Sequence, residues 1–168
     1  MKRGTLFFHW STSLLICLPR HAHKVLTKFM DSHGFKVTEH YLDLETAWRA
    51  EYTNGDGRGH VVGFNSEMDA LPGVGHACGH NLIAIVGVAA ALGVASAMKK
   101  HDIQGKVILL GTPAEEGGQG KVKLIDRGGY KQMDACLMAH PSPGEPKHAG
   151  TGPSLAVQAL TVEFFGHT

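Results

Sequence analysis

The sequence lacks an excess of either charge. Sixteen Lys and Arg face fifteen Asp and Glu, a formal net charge of +1. With no basic block along the chain, nucleic acid is excluded as the main partner. Cysteine is scarce: Cys17, Cys78 and Cys136 are too few, and odd in number, for a disulfide framework, which favours a reducing, cytoplasmic setting. Charged residues make up only 18% against 43% apolar, so the chain is not a disordered one. No internal repeat and no low-complexity segment is present. Residues 1–18 begin with two basic residues and an apolar run, but His9–Ser13 interrupt it and no small-residue cleavage site follows. The run is also too short to span a bilayer. It reads as a buried terminal helix or an atypical chain start rather than a secretory signal.

Two residues are abundant. The 22 glycines imply tight turns and backbone running close to something, and the twelve histidines imply a metal, acid–base work, or chance. Their positions decide between these. Residues 22–33 carry Val25, Leu26, Phe29 and Met30 at helical spacing, with Gly34 as a stop. Extended segments are expected at 35–41 and 46–52. The Asn54-Gly55-Asp56-Gly57 turn should then feed a hairpin into a strand at 60–67. The apolar stretch 81–100 is rich in Gly and Ala and reads as a helix packed on both sides in a core, not a membrane span, with Asn81 as its cap and Lys99 and Lys100 at its negative end. A buried strand at 106–111, a helix at 119–128 and a strand at 134–139 follow. Residues 141–153 read as a Pro/Gly-rich linker, and 154–165 alternate as a further strand. This order argues for an α/β fold with a mostly parallel sheet, whose ligands gather at the C-terminal ends of the strands.

Three loops at those ends carry metal-capable residues. Glu67–Asn81 contains Cys78-Gly79-His80, and Gly79 allows a turn tight enough for thiolate and imidazole to meet one ion, a donor pair suited to zinc. Asp69 is placed to orient an imidazole. Taken alone, the triplet reads more often as a small core thiol beside loop histidines. Gly111–Gly118 places Glu115 and Glu116 directly after a buried strand, where one carboxylate can ligate a metal and its neighbour can move a proton; a solvated turn is the equal alternative. Met138–Pro141 puts His140 at the end of a third strand. The coincidence of all three at one sheet edge raises a zinc hydrolase above the separate bland readings. A thiol nucleophile at Cys78 paired with His80 or His76 is a weaker option, because it leaves the two glutamates without a task. His9, His21, His23, His33, His40, His60 and His101 are scattered without ligand spacing and read as solvated or turn residues. Cys17 and Cys136 read as core residues.

The segments EMDALPGVGHACGHN, LLGTPAEEGGQGKVKLI and MAHPSP, in this order, resemble the M20 metallopeptidases, and within them the amidohydrolase branch that uses Cys-Gly-His. The resemblance runs from about His21 to Thr168. It implies a three-layer, zinc-peptidase-like sandwich, with residues 1–20 atypical, 21–153 the N-terminal part of a catalytic domain, and 154–168 the first strand of a truncated lid domain through which full-length relatives form homodimers. It implies Cys78, His80, Glu116 and His140 as metal ligands, Glu115 as general base, and Asp69 as the acid that orients a ligand. Glu67 falls where other branches carry their first-ligand histidine. One or two Zn2+ ions are implied, with Mn2+ or Co2+ also suited. The implied reaction is hydrolysis of an amide bond in a dipeptide or N-acyl amino acid; the alternative is a non-catalytic zinc-binding remnant that lacks the lid and a final ligand.

Overall fold

The computed structural model describes residues 12–144 and 149–151. The expected lid strand at 154–165 and part of the linker before it lie outside the described residues. Helix α1 (Thr12–Ser32) leads into β1 (Lys36–Glu39), a 3-10 turn (Tyr41–Asp43) and β2 (Trp48–Asn54). Then come β3 (His60–Glu67), the long helix α2 (His80–His101) and β4 (Gly105–Thr112). The short helices α3 (Glu115–Gly118) and α4 (Gly120–Asp126) precede β5 (Ala135–Leu137). Helix α1 starts earlier than the apolar spacing predicts and passes residue 20 without a break.

The sheet has five strands in the order β1-β2-β4-β3-β5. β4, β3 and β5 are parallel neighbours, whereas β1 pairs β2 and β2 pairs β4 antiparallel. The sheet is therefore mixed, parallel only in the half that carries the three loops. The Asn54–Gly57 turn does not close a hairpin. β4 sits between the two strands that this turn joins, pairing Trp48 with Gly111 on one side and Glu67 with Thr112 on the other. The physical reason is burial. β4 is buried along almost its whole length, and the most apolar strand takes the position with partners on both sides.

Alternation along the strands divides the side chains between two faces. On one face Trp48, Ala50, Phe64, Val107 and Leu109 form the main core with Met30 of α1 and Val88, Ala91, Ala95 and Met98 of α2. On the other face Ile108 and Leu110 are fully buried, and Tyr130 and Cys136 both reach Asn65 of β3. Two neighbouring β3 residues mark the layers: Ser66 donates to the carbonyl of Ala84 on α2, and Glu67 pairs with Lys121 on α4. Helices thus cover both faces of the sheet.

Helix α2 buries Ile83, Ala84, Gly87, Val88, Ala91, Ala95 and Met98 at three- and four-residue spacing, so one stripe packs on the sheet. The other side leaves Leu82, Ile85 and Val86 exposed, so among the described residues the helix is packed on one side, where its composition predicts two. It is long and apolar enough to cross a membrane by length and composition, which core helices of soluble proteins also satisfy. Its cap is Gly79 in the left-handed region at φ 85°, not Asn81, which lies exposed in the first turn.

Candidate metal centre

Because β4, β3 and β5 run parallel side by side, the loops after them open at one sheet edge. The chain leaves β3 with Glu67 and Asp69, both buried at 1% exposure, then turns through residues 70–79 and re-enters as α2 at His80, also 1% exposed. Gly79 makes this return possible. Its φ of +85° suits glycine, and a Cβ there would stand 2.6 Å from Cγ of Pro141 in the third loop.

His80 lies at the centre. Its Nδ1 sits 3.0 Å from the Asp69 carbonyl oxygen and 3.2 Å from Asp69 Oδ1. Both are acceptors, so Nδ1 carries the proton and Nε2 presents a lone pair. That lone pair faces Glu67 Oε2 at 3.2 Å, Glu116 Oε1 at 3.6 Å and Glu115 Oε2 at 3.9 Å. Asp69 also uses Oδ2 to accept the backbone N–H of Glu116 at 3.1 Å, so one buried carboxylate fixes both the imidazole and the second loop. From the third loop, His140 Nε2 reaches Cys78 Sγ at 3.4 Å, and its ring stands edge-on to His80 at 6.3 Å between centroids.

The structure brings all six residues expected from the sequence to one place. Donor atoms of Cys78, His80 and His140 lie within 4.8 Å of one another, and so do those of His80, Glu115 and Glu116. His76 stays exposed on the loop surface. Two further residues also belong here: Glu67, which the resemblance marks only as the place of other branches' first-ligand histidine, and Lys121, to which the sequence gives no part. Glu67 lies beneath His80, and Lys121 of α4 donates to Glu67 Oε1. The signal for the pair was present: a carboxylate closing a strand two residues before Asp69, and an amine five residues after Glu116. It was weak because nothing in the sequence showed that α4 folds back over β3.

The donor set fits a divalent cation. His80 Nε2, Glu67 Oε2 and Glu116 Oε1 are buried and have no hydrogen-bond partner, and the two carboxylate oxygens face the imidazole nitrogen at 3.2 and 3.6 Å. Buried polar atoms without partners are costly, and a lone pair ringed by carboxylates is stabilised by one positive ion in its midst. The Cys78 thiol points the same way. The Glu116 carboxylate, then partial burial and the charges of Glu116, Glu115 and Asp69, push it up to about 11. A thiol among anions ionises readily only when a cation is bound to it.

Open pockets flank the cluster. One of about 460 Å³ is lined by His76, Cys78, Gly79, Leu82, Pro141 and Pro143. A second of about 530 Å³ runs past His140 between Met138 and the exposed Leu82 and Val86 of α2.

Residues 63–167 match the family model for peptidase family M20/M25/M40. The human Xaa-Arg dipeptidase is 43% identical over 171 residues, covering 94% of this chain and 38% of that protein. The mouse Xaa-Arg dipeptidase is 42% identical over 167 residues, with the same coverage of 94% and 38%. In backbone, the chain is similar to a Bacillus subtilis dinuclear metal-binding peptidase of the M20 family, with a TM-score of 0.55 at 22% identity, covering 75% of this chain and 42% of the other. The chain spans about two fifths of the length of the dipeptidases it matches. With the family model covering more than half of its residues, this chain belongs to the M20/M25/M40 peptidase family.

Proposed function

We propose that these residues form the metal-binding half of a zinc-dependent hydrolase that cleaves the amide bond of a dipeptide or N-acyl amino acid. Three partnerless buried atoms carry this reading: His80 Nε2 with Glu67 Oε2 and Glu116 Oε1 both facing it, beside Cys78 and His140. Cys78, His80, Glu116 and His140 would hold the ion. Thiolate and imidazole donors favour Zn2+, with Co2+ and Mn2+ as substitutes, and the carboxylates leave room for a second ion. When bound, such an ion supplies Lewis acidity toward a carbonyl oxygen and makes water acidic near neutral pH.

The chain's own residues divide the remaining work. Asp69 holds the proton on His80 Nδ1 and keeps Nε2 aimed into the site. Its hold on the Glu116 backbone fixes where the glutamate pair projects. Glu116 is four-fifths buried, as suits a ligand, whereas the Glu115 side chain is 39% exposed and open toward substrate. Glu115 therefore takes a proton from the attacking water on a carboxylate oxygen and returns it to the departing amine. The Xaa-Arg dipeptidase relationship supports a dipeptide as substrate. Both described cysteines are free thiols, which supports the cytoplasmic setting.

The test is Glu115→Gln against Glu116→Gln, in the full-length protein, with zinc content and dipeptide hydrolysis read together. Glu115→Gln should retain zinc and lose on the order of a hundredfold or more in kcat. Glu116→Gln should lose zinc. Full activity in Glu115→Gln overturns the assignment, and zinc binding without turnover in the 168-residue chain itself supports a non-catalytic remnant.

A further inference from the structure

Of the histidines without ligand spacing, His23 departs from the solvated or turn role expected of it, while His40 is exposed at a turn as expected and stacks on His23. His23, on the inner side of α1, is only 6% exposed. Its Nδ1 lies 3.1 Å from the carbonyl oxygen of Thr46, and its Nε2 lies 3.3 Å from Glu39 Oε2 at the end of β1. His40 follows in the left-handed region at φ 51° and turns its ring back, with Nδ1 2.5 Å from the carbonyl oxygen of Glu45. The two rings stack at 5.2 Å between centroids, 19° from parallel.

A carbonyl oxygen only accepts, so both Nδ1 atoms carry hydrogen. The Glu39 carboxylate also only accepts, so without an ion His23 Nε2–H donates to Glu39 Oε2, and a bound cation takes the place of that hydrogen. Histidines that bind metals are held this way, with one ring N–H given to a carbonyl and the other nitrogen free for the ion. Ligand atoms of His23, Glu39 and His40 all lie within 4.8 Å of one another. A tetrahedral ion with bonds of about 2.0–2.1 Å needs donors only about 3.4 Å apart. The exposed side chains of Glu39 and His40 are free to close that gap onto the fixed His23. The cluster opens into a groove of about 690 Å³ whose rim also carries Lys24, Lys28 and Asp31.

We propose that His23, His40 and Glu39 form a second transition-metal site, separate from the sheet-edge centre, which binds Zn2+, Co2+ or Ni2+ through two neutral imidazoles and one carboxylate. Bound there, the ion pins α1 to β1 and the β1–β2 connection, adding to the Arg20–Glu45 ion pair, and leaves at least one coordination position to solvent.

The experiment uses Co2+ as probe on the metal-free 168-residue chain, made without a polyhistidine tag. Cobalt at Cys78 produces thiolate-to-metal charge-transfer absorption. Cobalt at His23, His40 and Glu39 has no sulfur ligand and produces ligand-field bands alone. The expected result is one bound ion that adds ligand-field intensity without charge transfer. Glu39→Gln and His40→Asn, both at exposed positions, should each weaken that ion at least about tenfold and leave the charge-transfer band unchanged. Asparagine suits the left-handed backbone at position 40. Ligand-field bands that never exceed those accompanying charge transfer, or titrations unchanged in both variants, would overturn the second site. Failure of the Cys78 band alone would count against the sheet-edge centre and leave this one standing.

Discussion

Lys121→Met isolates the electrostatics beneath the sheet-edge centre. The Lys121 amine donates to Glu67 Oε1, and Glu67 is buried at 1% exposure. Methionine keeps most of the aliphatic stem and removes the charge. Glu67 then has two courses. It can stay ionised and buried without its partner, at several kcal/mol, or it can take up a proton. At pH 7 a glutamate of ordinary affinity, near pH 4.3, is protonated at a cost of about 1.36 kcal/mol per pH unit, or about 3.7 kcal/mol. The proton route therefore sets a ceiling on the electrostatic loss. Lys121 keeps 28% side-chain exposure, and burial already holds its ammonium below the ordinary lysine range, so the pair is worth less than the ceiling. A loss of about 2–3 kcal/mol at pH 7 follows.

The sign of the pH dependence is fixed by the same reasoning. In the variant the folded state binds a proton on Glu67 that the unfolded state releases above about pH 4.3, so stability falls as pH rises and returns as pH drops. The gap to the parent should narrow to about 1 kcal/mol near pH 5. Saturating Zn2+ at pH 7 should narrow it as well, because a cation beside Glu67 Oε2 takes over the neutralisation, and adding Glu67→Gln should recover at least half the loss. Urea unfolding of the chelated chain at both pH values, with the exposed Lys131→Met as reference, measures each term. Equal losses at pH 5 and pH 7, or a loss no greater than that of Lys131→Met, would refute the reasoning.

Gly111→Ala should destabilise the fold by about 1–3 kcal/mol in urea unfolding, because a Cβ would stand 1.9 Å from Nε1 of the fully buried Trp48; a change within about 0.5 kcal/mol would show that the indole yields freely. With Cys17 and Cys136 replaced by serine and metal removed, iodoacetamide should alkylate Cys78 at a rate still climbing above pH 9, since its thiol is held up to about 11. Glu116→Gln should move that profile to lower pH, and a parent profile that levels off by pH 9 would contradict the Glu116 effect. Chelation should raise amide hydrogen exchange around Met138–His140 more than around Asp69–His80, because the third loop meets the others through Cys78–His140 whereas Asp69 holds the first two directly. Equal protection changes in both segments would argue against that difference.

The legible parts of the sequence are those where residue type alone sets the chemistry. Cys78-Gly79-His80, Glu115-Glu116 and His140 each follow an apolar strand, and parallel strands deliver such loops to a common edge, so their juxtaposition could be read from the residues alone. Strand order could not. The Asn54–Gly57 turn is a sound local signal, but the pairing partner of β2 is set by which strand needs cover on both edges, a property of β4 some fifty residues later. The same limit hid His23. Its spacing to His40 carries no metal signature because the two meet through the packing of α1 against the β1–β2 connection, and the carbonyls that orient them belong to Thr46 and Glu45. Lys121 escaped notice for the same reason, as its meaning depends on α4 lying over the end of β3.

Asp69 shows why the first two loops behave as one object. Its carboxylate oxygens are divided between His80 Nδ1 and the Glu116 backbone, so any movement of the glutamate pair pulls on the imidazole that faces it. A neutral side chain at position 69 could keep one of those contacts but would lose the charge that anchors both. Beneath them, Glu67 is neutralised by Lys121 on one oxygen and left bare on the other. The site is thus supported by the Glu67–Lys121 ion pair and by Asp69, with three partnerless buried atoms at His80, Glu67 and Glu116 and with Cys78 and His140 beside His80. Such a cluster is stable without a cation only at the expense of several unsatisfied buried groups, which is the physical ground for expecting metal affinity in residues 63–140 themselves.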